Sequence, residues 1–270
     1  MRFFFTRLSS TLIAASFILL AGCQSAGGSL DPVAPIPGPA VARSASSVTT
    51  GVVIPMYIDP GSSPSAWDEV IAQKKLHPAV PILLIANPNS GPGTYKEAQY
   101  VTYIAKERAA GVKVIGYVAT GYTQYKVAPV EAQMHTWALW YHVDGIFLDE
   151  ADSYAKPFFT TVTAYAHAHS LPLVMANPGT DAPANLGADV INYFEQKGYP
   201  SLAFLKKPAH LAAGSKRWSY MAGAVPYNAA TIAASAKYVA YIYATDGAEP
   251  ECYCKLPSYL PQLVTLLSKL

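Results

Sequence analysis

Charge is scarce in this 270-residue chain: Asp, Glu, Lys and Arg make up 13% of it, against 51% hydrophobic residues. A large core is therefore within reach, and disorder is expected only in an N-terminal tail. Neither sign is in excess. Without Arg2 and Arg7, which sit in a leader-like segment, the 19 basic residues fall to 17, against 17 acidic ones. No basic stripe exists to meet a phosphate backbone, which excludes nucleic acid as a partner. Cysteine is almost absent, at three residues. Cys252 and Cys254 have no matching second pair, so they make no zinc site. A Cys-x-Cys bridge would close a small strained ring, which leaves a labile disulfide and two free thiols both open, as local loop chemistry with no catalytic role. The chain also lacks HExxH, the GxSxG elbow, the P-loop and the GxGxxG fingerprint. His167 and His169 are two apart and share no helix face. Neither a metal nor a cofactor is expected.

Long apolar runs are missing too, apart from a short one at Leu12 to Leu20. Preceded by Arg2 and Arg7 and ending Leu20-Ala21-Gly22-Cys23, it reads as a secretory signal over residues 1–22. The ending resembles a bacterial lipobox with Cys23 as the lipidated mature N-terminus; the alternative is an ordinary signal peptide with an incidental cysteine. A lipoprotein carries several acyl chains and anchors firmly. Gln24 in place of Asp points, by the same resemblance, to the outer membrane of a Gram-negative source. Residues 23–50, with Pro35-Ile36-Pro37-Gly38-Pro39, read as a tether lifting an exported domain off the membrane.

From Gly51 to residue 270 the punctuation becomes regular. Apolar runs at 52–58, 80–86, 113–119, 145–149, 172–176, 189–194, 217–222 and 239–244 alternate with helical periodicity. Val130, Met134, Trp137, Ala138 and Tyr141 form one apolar face, as do Leu263, Leu266, Leu267 and Leu270. Strands without polar alternation belong to a parallel sheet covered on both faces. The fold class expected is α/β: a single (β/α)8 TIM barrel, of about the usual 250 residues. Residues 195–216 hold a short or irregular sixth helix.

Active sites of such barrels lie at the C-terminal strand ends. Those ends carry Tyr57 and Asp59, Asn87 and Asn89, Tyr117 and Tyr122, Asp149 and Glu150, Asn177, Glu195 and Asp246. Asp149 and Glu195 each follow a buried hydrophobic strand, and two rim carboxylates suit glycoside hydrolysis, where one protonates the leaving oxygen and the other attacks or activates water. Adjacent residues of an extended strand point oppositely, so Asp149 and Glu150 are not expected to share one position. Acids at such junctions also cap helices or pair with Lys and Arg. Tyrosine is abundant, with 19 residues. Tyr57, Tyr117 and Tyr122, like Trp140 and Tyr141, are candidates for stacking on sugars or for plain core packing.

The runs Ile54–Gly61, Ala86–Gly93, Val114–Tyr122, Trp140–Glu150, Ala176–Thr180 and Tyr193–Glu195 together resemble the spherulin-4 family, in order, from about residue 51 to Asp246. The resemblance implies a barrel glycoside hydrolase akin to the polygalactosaminidases, cutting α-1,4-linked galactosamine or N-acetylgalactosamine exopolysaccharide. It places the family acids on Asp149 as nucleophile, Glu195 as acid/base and Glu150 in support, while the strand-end residues Tyr57, Asp59, Asn87, Asn89, Tyr117, Tyr122, Asn177 and Asp246 are the expected substrate contacts. A monomer acting on a polysaccharide is expected. The rival readings are an inactive carbohydrate-binding lipoprotein and an envelope docking module.

Overall fold

The structure, a computed structural model, describes residues 49–248 and 253–270. The leader, the tether with Cys23, and Cys252 lie outside the described residues; Cys254 is an exposed free thiol. Eight strands, β1 (Gly51–Met56), β2 (Ile82–Ala86), β3 (Lys113–Ala119), β4 (Gly145–Asp149), β5 (Leu173–Ala176), β6 (Val190–Lys197), β7 (Trp218–Gly223) and β8 (Tyr241–Ala244), follow one another around a closed barrel. Every pairing is parallel, and β1 meets β8. The helices are α1 (Pro64–Leu76), α2 (Ala98–Ala109), α3 (Val127–Tyr141), α4 (Lys156–Ala168), α5 (Leu202–Leu205), α6 (Pro208–Ala213), α7 (Ala229–Ala236) and α8 (Leu260–Leu267). The expected TIM barrel is what the chain forms.

Two departures from strict alternation matter. No helix follows β5: residues 177–189 cross to β6 as a loop carrying Pro178, Gly179, Pro183 and Gly187, whose backbones interrupt any helical turn. After β6 the single helix of the ideal pattern is split into the short α5 and α6, in the stretch whose periodicity was irregular.

The strands are apolar because both faces are covered. In β3 the outer face is occupied by α3: a Cβ on Gly116 would lie 2.3 Å from the Trp137 ring. Trp137 donates its indole N–H to the Tyr117 carbonyl at 2.8 Å. With Gly116 facing out, the period of two turns Tyr117 inward. The same alternation carries Asp149 inward from β4, where the Phe147 ring meets Tyr117.

β6 breaks that rule once. Asn192 pairs with Ser219 of β7, but Glu195 pairs with Met221, so β6 holds one extra residue between the two pairs. Such a bulge shifts parity by one. Asn192 and Glu195, three apart, can therefore both face inward, while Tyr193 faces out and stacks on Trp218 with ring centres 4.6 Å apart.

Helix α2 buries Tyr100, Tyr103, Ile104 and Glu107, one stripe that ends in a carboxyl. Both Glu107 oxygens are buried without a hydrogen-bond partner. Burial, reinforced by the charge of Asp68, pushes this carboxyl up to about 9. The folded state therefore keeps a proton that the unfolded chain loses at an ordinary carboxylate value. Stability from this group is complete at acid pH and declines as pH climbs toward about 9. Glu107→Gln is expected to match the wild type near the bottom of that window, to exceed it in stability at neutral pH, and to flatten the slope between. Denaturant unfolding across the window measures this; an unchanged slope counts against a protonated Glu107.

Candidate active site

At the C-terminal mouth of the barrel four strands deliver a connected set of side chains. Asp149 ends β4. Its Oδ2 accepts the Tyr117 hydroxyl at 2.7 Å, and its Oδ1 accepts Asn177 Nδ2 at 2.7 Å. The same nitrogen donates to Glu195 Oε2 at 2.5 Å. A carboxamide carries two N–H bonds, so one amide serves both acids. Laid end to end, 2.7 and 2.5 Å bound the separation of those two oxygens at 5.2 Å.

The amide is itself held in one orientation. Asn192, fully buried, donates to Asn177 Oδ1 at 2.8 Å, which leaves Asn177 only its nitrogen to offer the acids. The other oxygen of Glu195 accepts the hydroxyl of Tyr253, from the segment before α8. Tyr57 closes the circuit with edge-on contacts to Tyr117, at 5.7 Å between ring centres, and to Tyr253, at 5.4 Å. Neutral donors thus fix both carboxylates. Burial, then the charge and hydrogen bond of Asp149, push the Tyr117 phenol far above its ordinary range, so it stays protonated and a donor.

Local backbone geometry serves the same mouth. Glu150 has φ 52°, a left-handed conformation that costs a non-glycine residue about 1 kcal/mol or more. The turn is stapled by Thr120, buried, whose hydroxyl lies 2.9 Å from the Asp149 carbonyl and 2.8 Å from that of Glu150. Tyr122 N–H also donates to the Glu150 carbonyl at 2.7 Å. Because the strand turns there, Glu150 joins Asp149 around a cavity of about 350 Å³, with Tyr122, Asn177, Gly179, Glu195 and Gln196. That corrects the expectation from strand alternation, which holds only while the backbone remains extended. Gly179, at φ 64°, lies against Glu195. A second cavity of about 320 Å³ also borders Glu195, with Lys197, Gly223, Ala224, Ala248 and Tyr253 in its lining. Glu195 and Gln196 border both.

Of the residues the sequence nominates, Tyr57, Tyr117, Tyr122, Asp149, Glu150, Asn177 and Glu195 are brought together here. Asp59, Asn87, Asn89 and Asp246 are not. Asp59 accepts the Gly61 N–H at 2.8 Å in its own turn, and Asn87 Oδ1 accepts the Gly91 N–H at 3.0 Å. Asn89 is exposed in the same loop. Asp246 accepts the Ser258 N–H at 3.1 Å, which fastens the approach to α8; hydrogen bonding from the Ser258 side chain, then from that N–H, holds its carboxyl below the usual range. Short polar side chains at strand ends satisfy nearby backbone first. Sequence reasoning misses Asn192 and Tyr253. A polar residue inside an otherwise apolar strand was the available signal for Asn192; Tyr253, far along the chain, carries none beyond its type. Among the described residues no cluster of three or more His, Cys, Asp or Glu could hold a metal ion.

Comparison with known proteins adds to this geometry. Spherulin-4 of Physarum polycephalum is 33% identical over 236 residues, covering 80% of this chain and 70% of that protein. The crystal structure of Aspergillus clavatus Sph3 in complex with GalNAc shares the fold, with a TM-score of 0.71 and 23% identity over 82% of this chain and 98% of that one. An Anoxybacillus alpha-amylase superposes with a TM-score of 0.50 at 10% identity, covering 82% and 77% of the two chains. The family model for spherulation-specific family 4 matches residues 51–267, and the chain belongs to that family.

Proposed function

We propose that this protein is a glycoside hydrolase that cleaves within α-1,4-linked galactosamine or N-acetylgalactosamine exopolysaccharide, with retention of configuration and without a metal. The observation that carries the reading is the shared Asn177 amide. It holds oxygens of Asp149 and Glu195 within 5.2 Å, the two bonds end to end. Carboxyls roughly 5–5.5 Å apart suit a double displacement, whereas inversion needs roughly 6.5–9.5 Å to admit water. Family membership and the GalNAc held by Sph3 support the choice of sugar.

In this mechanism Asp149, a carboxylate accepting two hydrogen bonds, attacks the anomeric carbon as Glu195 gives its proton to the departing glycosidic oxygen. The bond from Asp149 to the sugar forms as the glycosidic bond breaks. The hydrogen bonds from Asn177 and Tyr253 to its two oxygens orient Glu195 for this transfer. Glu195 then takes a proton from water, and the resulting hydroxide displaces Asp149. Glu150, at the same cavity, adds negative charge where positive charge develops on the sugar ring. The segment up to Cys23 supports export and a lipid anchor for the enzyme.

Asp149→Asn and Glu195→Gln are each expected to lower turnover of the polymer by on the order of 10²–10⁴-fold with the melting temperature little changed. Substantial activity in either variant sinks the assignment. Proton NMR of the first-formed reducing ends should show the substrate's own anomer; the opposite anomer refutes retention. In a bacterial host, Cys23→Ser should abolish incorporation of labelled palmitate and free the protein from the membrane fraction, and an unlabelled wild type refutes the anchor.

A further inference from the structure

The exposed aromatic rings are not scattered. Among the described residues the large hydrophobic side chains open to solvent are tyrosines and leucines. The five exposed tyrosines, Tyr95, Tyr122, Tyr125, Tyr154 and Tyr227, all lie in loops that follow a strand's C-terminal end, on the face that holds the acids. The exposed leucines lie on helices or at the end of the chain. Single exposed apolar residues need no explanation, but segregation of one residue type to one rim does.

Four of the five belong to one sector. Tyr95 follows β2, Tyr122 and Tyr125 follow β3, and Tyr154 follows β4, three strands that are neighbours in the barrel. Tyr122 lines the acid cavity, so the sector is continuous with it. The rings are presented from defined loops. Tyr154, 85% exposed, is two residues beyond Asp152, whose carboxylate accepts the Tyr154 N–H at 2.8 Å. Tyr125 lays one ring face over Gly121 and is half exposed. Tyr95, 66% exposed, lies between β2 and α2, four residues beyond the turn that Asn87 and Gly91 close. A tyrosine so held offers a flat apolar face and a polar edge at small entropic cost, which matches the apolar face and hydroxyl rim of a pyranose.

We infer that Tyr95, Tyr125 and Tyr154 form outer subsites that stack successive sugars of a polysaccharide leaving the acid cavity past Tyr122 over the β2–β4 sector. The inference rests on the proposed hydrolase reading and adds to it the direction in which the polymer runs and the residues that hold it away from the cleaved bond. It requires the substrate to be a chain long enough to reach the outer loops.

The test compares the full chain with the Tyr95→Ala/Tyr154→Ala double variant on partially deacetylated α-1,4-galactosamine polymer and on its trisaccharide. Two rings, each contributing roughly three- to tenfold, should lower the polymer-to-trisaccharide ratio of kcat/KM by on the order of ten- to a hundredfold, mainly through KM. The Tyr95→Phe/Tyr154→Phe variant keeps the ring faces and should retain most of the ratio. Binding of polymer to Glu195→Gln, with and without the two alanines, is measured alongside by affinity electrophoresis. If the wild type cleaves polymer and the alanines leave both ratio and binding unchanged, the subsites are refuted while the hydrolase reading stands. If nothing is cleaved but the alanines still release bound polymer, the subsites stand and catalysis is refuted. A wild type that neither binds nor cleaves the polymer overturns both.

Discussion

Two carboxylates held close together repel, and the barrel mouth that holds Asp149 and Glu195 is partly buried. Here the conflict is resolved by one carboxamide. Asn177 gives an N–H to Asp149 and another to Glu195, so each acid gains a donor and the pair gains a fixed separation. A cation in that place would neutralise the acids and could swing on a long side chain. An amide supplies partial positive charge from a short, planar group and leaves both acids free to ionise or carry a proton. Asn192 occupies the amide oxygen, so the head cannot turn over without losing three bonds.

Much of the local architecture follows from that arrangement. Asn177 must lie at the end of β5 facing inward, and the next segment turns against Glu195 at Gly179, in a backbone conformation other residues resist. Glu195 must face inward three residues after Asn192, and only the extra residue in β6 permits it. The tyrosines complete the shell. Tyr117 and Tyr253 bind the outer oxygens of the two acids, and Tyr57 packs between them, so the acids are oriented by neutral hydroxyls and ring edges. A chain poor in charge can build such a site because its donors are amides and phenols.

The barrel was largely legible in the sequence because a buried parallel strand writes itself as an unbroken apolar run, and the runs around β3 and β4 match their strands residue for residue. The missing helix after β5 was less so. Its proline and glycine residues were visible, but the β5–β6 pairing shows that the loop spans the gap unaided. The cluster at the mouth was legible where strand ends carry it, at Asp149, Asn177 and Glu195. That Asp59, Asn87 and Asp246 accept backbone N–H bonds in or near their own turns was not legible, since a polar residue at a strand end and one capping a turn look alike in one dimension.

The sequence by itself determined which residues are buried, where strands end, and that acids and tyrosines stand at those ends, because burial and local turn chemistry depend on residue type and spacing. It also carried the family likeness in ordered blocks. Only the tertiary structure decided which acids face each other. The inward turn of Glu195 depends on pairing with β7, the cavity position of Glu150 on a left-handed turn stapled by Thr120, and the contact of Tyr253 with Glu195 on barrel closure across 58 residues. Those are relations between distant segments, set by the register of neighbouring strands, and no local pattern records them.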